Sequence, residues 1–133
     1  MTYERDTDTE AKVWQIINNT EDFFDIRVAE PRICVLSCEQ YRTSEGRLVF
    51  ADIKSVSEQY KAICDFDYII TIYTPNTALL SETQFMILLE HELRHINITN
   101  GRKGIVYGTK GHDFEGFYAI IDKYGMDWST LNA

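Results

Sequence analysis

Behind a polar leader of about eight residues, apolar positions recur at three- and four-residue spacing through residues 9–24, centred on Val13, Trp14, Ile16 and Ile17. That period predicts an amphipathic helix. Three apolar runs with strand character follow, over residues 32–37, 48–53 and 67–73; the turn signal Ser44-Glu45-Gly46 precedes the second, and Thr74-Pro75-Asn76 stops the third. The third run is apolar on both faces, so it predicts a strand covered on both sides. Residues 55–63, with Val56, Tyr60 and Ile63 on one side, predict a short helix. Ser81-Glu82-Thr83-Gln84 then has the pattern of a capping box, and the chain runs without a breaker from Phe85 to Ile96. On that helix Phe85, Leu89, Leu93 and Ile96 share one apolar arc, His91 and His95 lie together beside it, and Glu90, Arg94 and Asn97 take the far side. Gly101, Gly104, Gly108 and Gly111 predict a flexible loop. A last helix is expected over about 112–124, with Phe114, Phe117, Ile121 and Tyr124 on one stripe and Gly125 as its C-cap.

Composition makes this one globular domain, residues 1–133, with 44% hydrophobic, 13% aromatic and 26% charged residues. The formal net charge of −8 argues against nucleic acid as partner, because phosphate recognition needs clustered Lys and Arg. A local exception is the acid-free stretch from Arg94 to Lys110, which also holds Arg102 and Lys103. No apolar leader segment or membrane-length apolar run is present. Cys34, Cys38 and Cys64 include no Cys-x-x-Cys pair. They read as small buried hydrophobes of a cytoplasmic protein.

The three histidines change the picture. His91, His95 and His112 are the only ones in the chain and all fall between residues 91 and 112. His91-Glu92-Leu93-Arg94-His95 places two imidazoles one helical turn apart, on the same face, as adjacent corners of a tetrahedral metal site. Glu92, about 100° round the helix, is placed to act as general base on water activated by the metal. His112 is the favoured third ligand, at the start of the next helix; Asp113 and Glu115 compete for that place. With His112 ligating, Asp113 becomes a carboxylate that can fix a ligand's tautomer. Tyr107, Tyr118 and Arg94 are candidates for an oxyanion donor, with Tyr107 the choice. Three imidazoles and no thiolate suit one zinc ion best, although manganese, cobalt and iron accept similar donors.

The string from Leu88 to Ile96, followed by His112-Asp113-Phe114 and Tyr124-Gly125-Met126-Asp127-Trp128, resembles the phage metallopeptidase domain, a zincin-like family of bacteriophages and prophages. Residues 65–73 ahead of the helix resemble it too. Gly111-His112-Asp113-Phe114 is more distantly similar to a pattern of SprT-like zinc peptidases, with the Phe one residue early. The resemblance implies an α+β minimal zincin-like fold: an N-terminal helix, a small, mostly antiparallel three-stranded sheet, the His-Glu-x-x-His helix and a C-terminal helix. It also implies His91, His95 and His112 as zinc ligands, Glu92 as base, a peptide or protein substrate, and the strand over 67–73 as the edge that pairs with an extended peptide. The expectation is therefore a zinc metallopeptidase acting in the bacterial host cytoplasm. The rival is a non-catalytic zinc-binding module that binds a host protein.

Overall fold

The computed structural model describes residues 2–111 and 123–124. The fold is α+β. Its first element is a strand, β1 (Tyr3–Arg5), within the polar leader; it pairs antiparallel with β2 (Ile33–Cys38), Arg5 lying opposite Leu36. All three β1 side chains are exposed. Hydropathy therefore carries no trace of this strand, which is held by backbone pairing and by a two-bonded Arg5–Glu10 ion pair at 2.8 Å.

Asp6 ends β1 and caps α1 (Thr7–Asn19), accepting from the Thr9 amide at 3.0 Å and the Thr9 hydroxyl at 2.6 Å. The helix expected over 9–24 stops early. Thr20 is extended, a 3-10 turn spans Glu21–Phe23, and α2 (Phe24–Ala29) leaves in a new direction. Arg27 returns from α2 to donate to Ile17 O at 2.7 Å and Thr20 O at 2.6 Å, satisfying carbonyls that the end of α1 would orphan.

Among the described residues the main sheet has four strands rather than three, in the order β1-β2-β6-β5, with β5 spanning Ala51–Ser55 and β6 Tyr68–Tyr73. β2 and β6 are parallel, in register from Ile33–Tyr68 to Cys38–Tyr73, whereas β1–β2 and β5–β6 are antiparallel. Strand β6 thus has a partner on each side and is no edge, contrary to the role expected of it. Its near-complete burial already fits a central position. Among the described residues the edges are β1 and β5. The run predicted over 48–53 divides between a small hairpin, β3 (Thr43–Ser44) with β4 (Arg47–Leu48), and β5. Fully buried Asn76 fixes that hairpin, donating to Arg42 O at 2.8 Å and Val49 O at 2.7 Å, from the single turn α4 (Thr74–Thr77). The helix expected over 55–63 shrinks to α3 (Glu58–Lys61); Val56 is buried but Tyr60 and Ile63 are exposed, with no element covering them among the described residues.

α5 (Glu82–Leu93) starts with the complete capping box, Ser81 and Gln84 each accepting from the other's backbone amide. Leu89 and Leu93, both fully buried, pack with Val13 and Ile17 of α1 and Val35 and Ile70 of the sheet. This is one core between two helices and one sheet face. The glycine-rich loop expected after α5 is instead a hairpin, β7 (Ile96–Gly101) with β8 (Gly104–Thr109). Ile96, Ile98 and Tyr107 turn their side chains onto the core, an alternation that the four glycines obscured. Its two-residue turn is allowed by Gly104, whose φ of 115° suits glycine. No helix among the described residues is long and apolar enough to cross a membrane. The helix expected over 112–124 lies outside the described residues except at Lys123 and Tyr124.

Candidate metal centre

The last turn of α5 presents His91 and Glu92, and the turn after it presents His95. One ligand atom from each of the three lies within 4.8 Å of the others. The imidazoles of His91 and His95 meet edge-on, with ring centroids 5.3 Å apart. Because α5 ends at Leu93, two residues short of His95, helical propagation alone does not place the second imidazole. The β7–β8 hairpin does part of that work. Lys110, just past β8, donates its amide to His95 O at 2.7 Å, and its carbonyl lies 2.8 Å from His95 Nδ1. A carbonyl only accepts, so Nδ1 carries the proton and Nε2 of the neutral ring holds the lone pair. A metal ligand is commonly oriented in this way.

Glu92 is 4% exposed, and among the described residues its Oε2 has no hydrogen-bond partner. Burial, and secondarily the charge of Asp52, pushes its carboxyl up to about 8. A buried carboxylate oxygen without a donor, within reach of two imidazole nitrogens, is a donor set that suits a divalent cation; bound there, the cation would reverse that upward shift.

Asp52 was not legible as a site residue. It comes from the edge strand β5 and accepts from the Tyr73 hydroxyl at 2.6 Å and from Arg42 at 3.0 Å, while Arg42 also donates to the Tyr73 hydroxyl. Burial and the bond to Asp52 push Tyr73 up to about 12, so it stays a donor at any physiological pH. The group comes together only because β5 and β6 pair antiparallel, a long-range register without a local sequence signal.

Tyr107, the chosen oxyanion donor, is a strand residue whose hydroxyl donates to Ala29 O at 3.3 Å and whose ring meets Tyr68 edge-on at 6.1 Å. Arg94 turns to the far side of α5, as the wheel indicated, and pairs there with Glu90. A cleft of about 280 Å³ opens on that flank, between Phe23, Ile26, Leu93, Arg94 and Ile98, apart from the His–Glu–His group. His112, Asp113, Glu115 and Tyr118 lie outside the described residues.

No curated protein and no solved structure matches the chain. A family model does match, over residues 1–133, and with the His91–Glu92–His95 cluster it agrees in pointing to metal-dependent peptidase chemistry: the chain belongs to the family described as Putative phage metallopeptidase.

Proposed function

We propose that this protein is a zinc-dependent peptidase in which His91, His95 and His112 hold the metal and Glu92 is the general base. The observation that carries the reading is the juxtaposition of two imidazoles with a buried carboxylate whose Oε2 has no donor among the described residues. A zinc ion supplies Lewis acidity toward a peptide carbonyl and makes nearby water easier to deprotonate. The chain's own groups do the rest. Glu92 takes a proton from water at its carboxylate and delivers it to the departing amine, a transfer favoured by its seclusion from solvent. His95 is kept in the ligating tautomer by the Lys110 carbonyl. An extended peptide adds to the outer side of β5, the sheet edge that packs beside α5 and with which no strand pairs among the described residues.

The test is hydrolysis of a proteome-derived peptide pool by wild type and Glu92→Gln, with metal content measured on both. The reading expects about one zinc per chain in each and a loss of roughly 10²- to 10⁴-fold in rate for the variant. Equal hydrolysis by the two proteins would remove the general-base role. Bound zinc without hydrolysis in either would favour a metal-containing module that binds a host protein. His112→Ala is expected to lose the zinc that Asp113→Ala retains.

A further inference from the structure

Glu90 and Arg94 each immediately precede a histidine of the metal cluster, and the two are joined to each other. Glu90 is 2% exposed yet accepts three hydrogen bonds: from Arg94 at 2.7 Å, Lys123 at 2.9 Å and the Tyr124 hydroxyl at 2.8 Å. The Arg94 guanidinium bonds onward to Asp22 at 3.0 Å and lies over the Phe23 ring at 5.0 Å. One buried carboxylate thus ties together the motif helix, the 3-10 turn after α1 and a C-terminal pair of residues.

The backbone at the end of α5 shows why this matters for the cluster. The Arg94 amide is shared between Glu90 O at 3.1 Å and His91 O at 3.2 Å, and the His95 amide reaches Glu92 O at 3.1 Å. The last turn has tightened from four-residue to three-residue spacing, so the angle between the two imidazoles depends on where Arg94 is held. Lys110 fixes His95 from one side. On the other side the candidate is the Glu90 group, since any rotation of α5 or its last turn must break bonds to a buried charge.

We infer that Glu90, with Arg94 and Tyr124, is a positioning residue for the metal centre: it locks the back of the motif helix so that His91 and His95 present their nitrogens to one ion. This rests on the metal-site reading above. It adds that the hub's integrity sets metal affinity and coordination geometry, although none of its members belongs to the His91–Glu92–His95 cluster.

Cobalt(II) is the probe, because its visible absorption reports both affinity and ligand geometry. The full-length chain is titrated with the metal alone in four forms: wild type, Glu90→Gln, Tyr124→Phe, and Ile17→Val, a core change that loosens packing on Leu89 and Leu93 of the same helix but removes no hub bond. Glu90→Gln is expected to weaken cobalt binding by about 10- to 100-fold and to alter band position or intensity at saturation. Tyr124→Phe, which deletes one hydroxyl and leaves all charges, is expected to weaken it by about 3- to 10-fold. Ile17→Val is expected to lower thermal stability without touching the spectrum. If both hub variants match wild type in affinity and spectrum, the inference is overturned; it is equally overturned if Ile17→Val changes them as the hub variants do. Should Glu90→Gln fail to fold, Tyr124→Phe decides alone. If wild type itself binds no cobalt, the metal-site reading falls instead, and the two failures are distinct.

Discussion

Two glutamates, two positions apart on one helix, are almost equally buried, at 2% exposure for Glu90 and 4% for Glu92. Their surroundings are opposite. Burial pushes both carboxyls upward, but the donors Arg94, Lys123 and Tyr124 outweigh it and hold Glu90 below its ordinary value. Glu92 has no comparable donors among the described residues and stands at about 8. A buried carboxylate with its donors in place is architecture, whereas a buried carboxyl with an open valence beside two imidazoles is chemistry waiting for a partner. The motif helix therefore has a finished side and an unfinished side, and the proposed chemistry belongs to the unfinished one.

The largest effect expected from disturbing this contrast is the one given for Glu92→Gln, a loss of hydrolysis by orders of magnitude with the fold intact. Removing an unpartnered buried carboxylate should leave thermal stability in the metal-free state unchanged or raised. A marked drop in melting temperature would mean that Glu92 has a structural partner.

Glu90→Gln should act in the opposite sense, destabilising the chain by about 3 kcal/mol because Arg94 and Lys123 lose their shared counter-charge. Denaturant unfolding measures this, and a change under about 0.5 kcal/mol would show that the hub contributes little to folding.

The two glutamates should also impose opposite pH slopes on the chelator-treated protein. Glu92 binds a proton more readily folded than unfolded, so stability falls as pH rises from the ordinary glutamate range of about 4.3 toward 8. Glu90, held low when folded, contributes stability above that range that is lost as pH falls through its folded value. Melting temperatures across pH check both limbs: Glu92→Gln should flatten the fall on the neutral side and Glu90→Gln the fall in acid. A single variant that flattened both would show that the sites are coupled.

The smallest effect concerns the hairpin. Gly104→Ala places a side chain at a φ of 115° and should cost about 1 kcal/mol, visible in the melting temperature. It should weaken metal binding only slightly, through the Lys110 grip on His95; complete loss of metal would give the hairpin a larger part than two hydrogen bonds to one residue.

Whatever a few consecutive residues can encode was legible along the chain. The capping box at Ser81, the apolar arc through Leu89 and Leu93, the pairing of His91 with His95, and the strand at 68–73 were all legible because cap chemistry and periodicity are local. Tertiary structure decided the rest. It recruited an exposed tripeptide as β1, made β6 central and β5 an edge, folded a glycine-rich stretch into a hairpin, and stopped α5 before His95. It also separated two glutamates that the letters alone cannot tell apart. The donors of Glu90 include Lys123 and Tyr124, and the charge that acts on Glu92 comes from Asp52, all remote in the chain. What a buried carboxylate does depends on which distant groups the packed chain brings against it, and no local pattern carries that information.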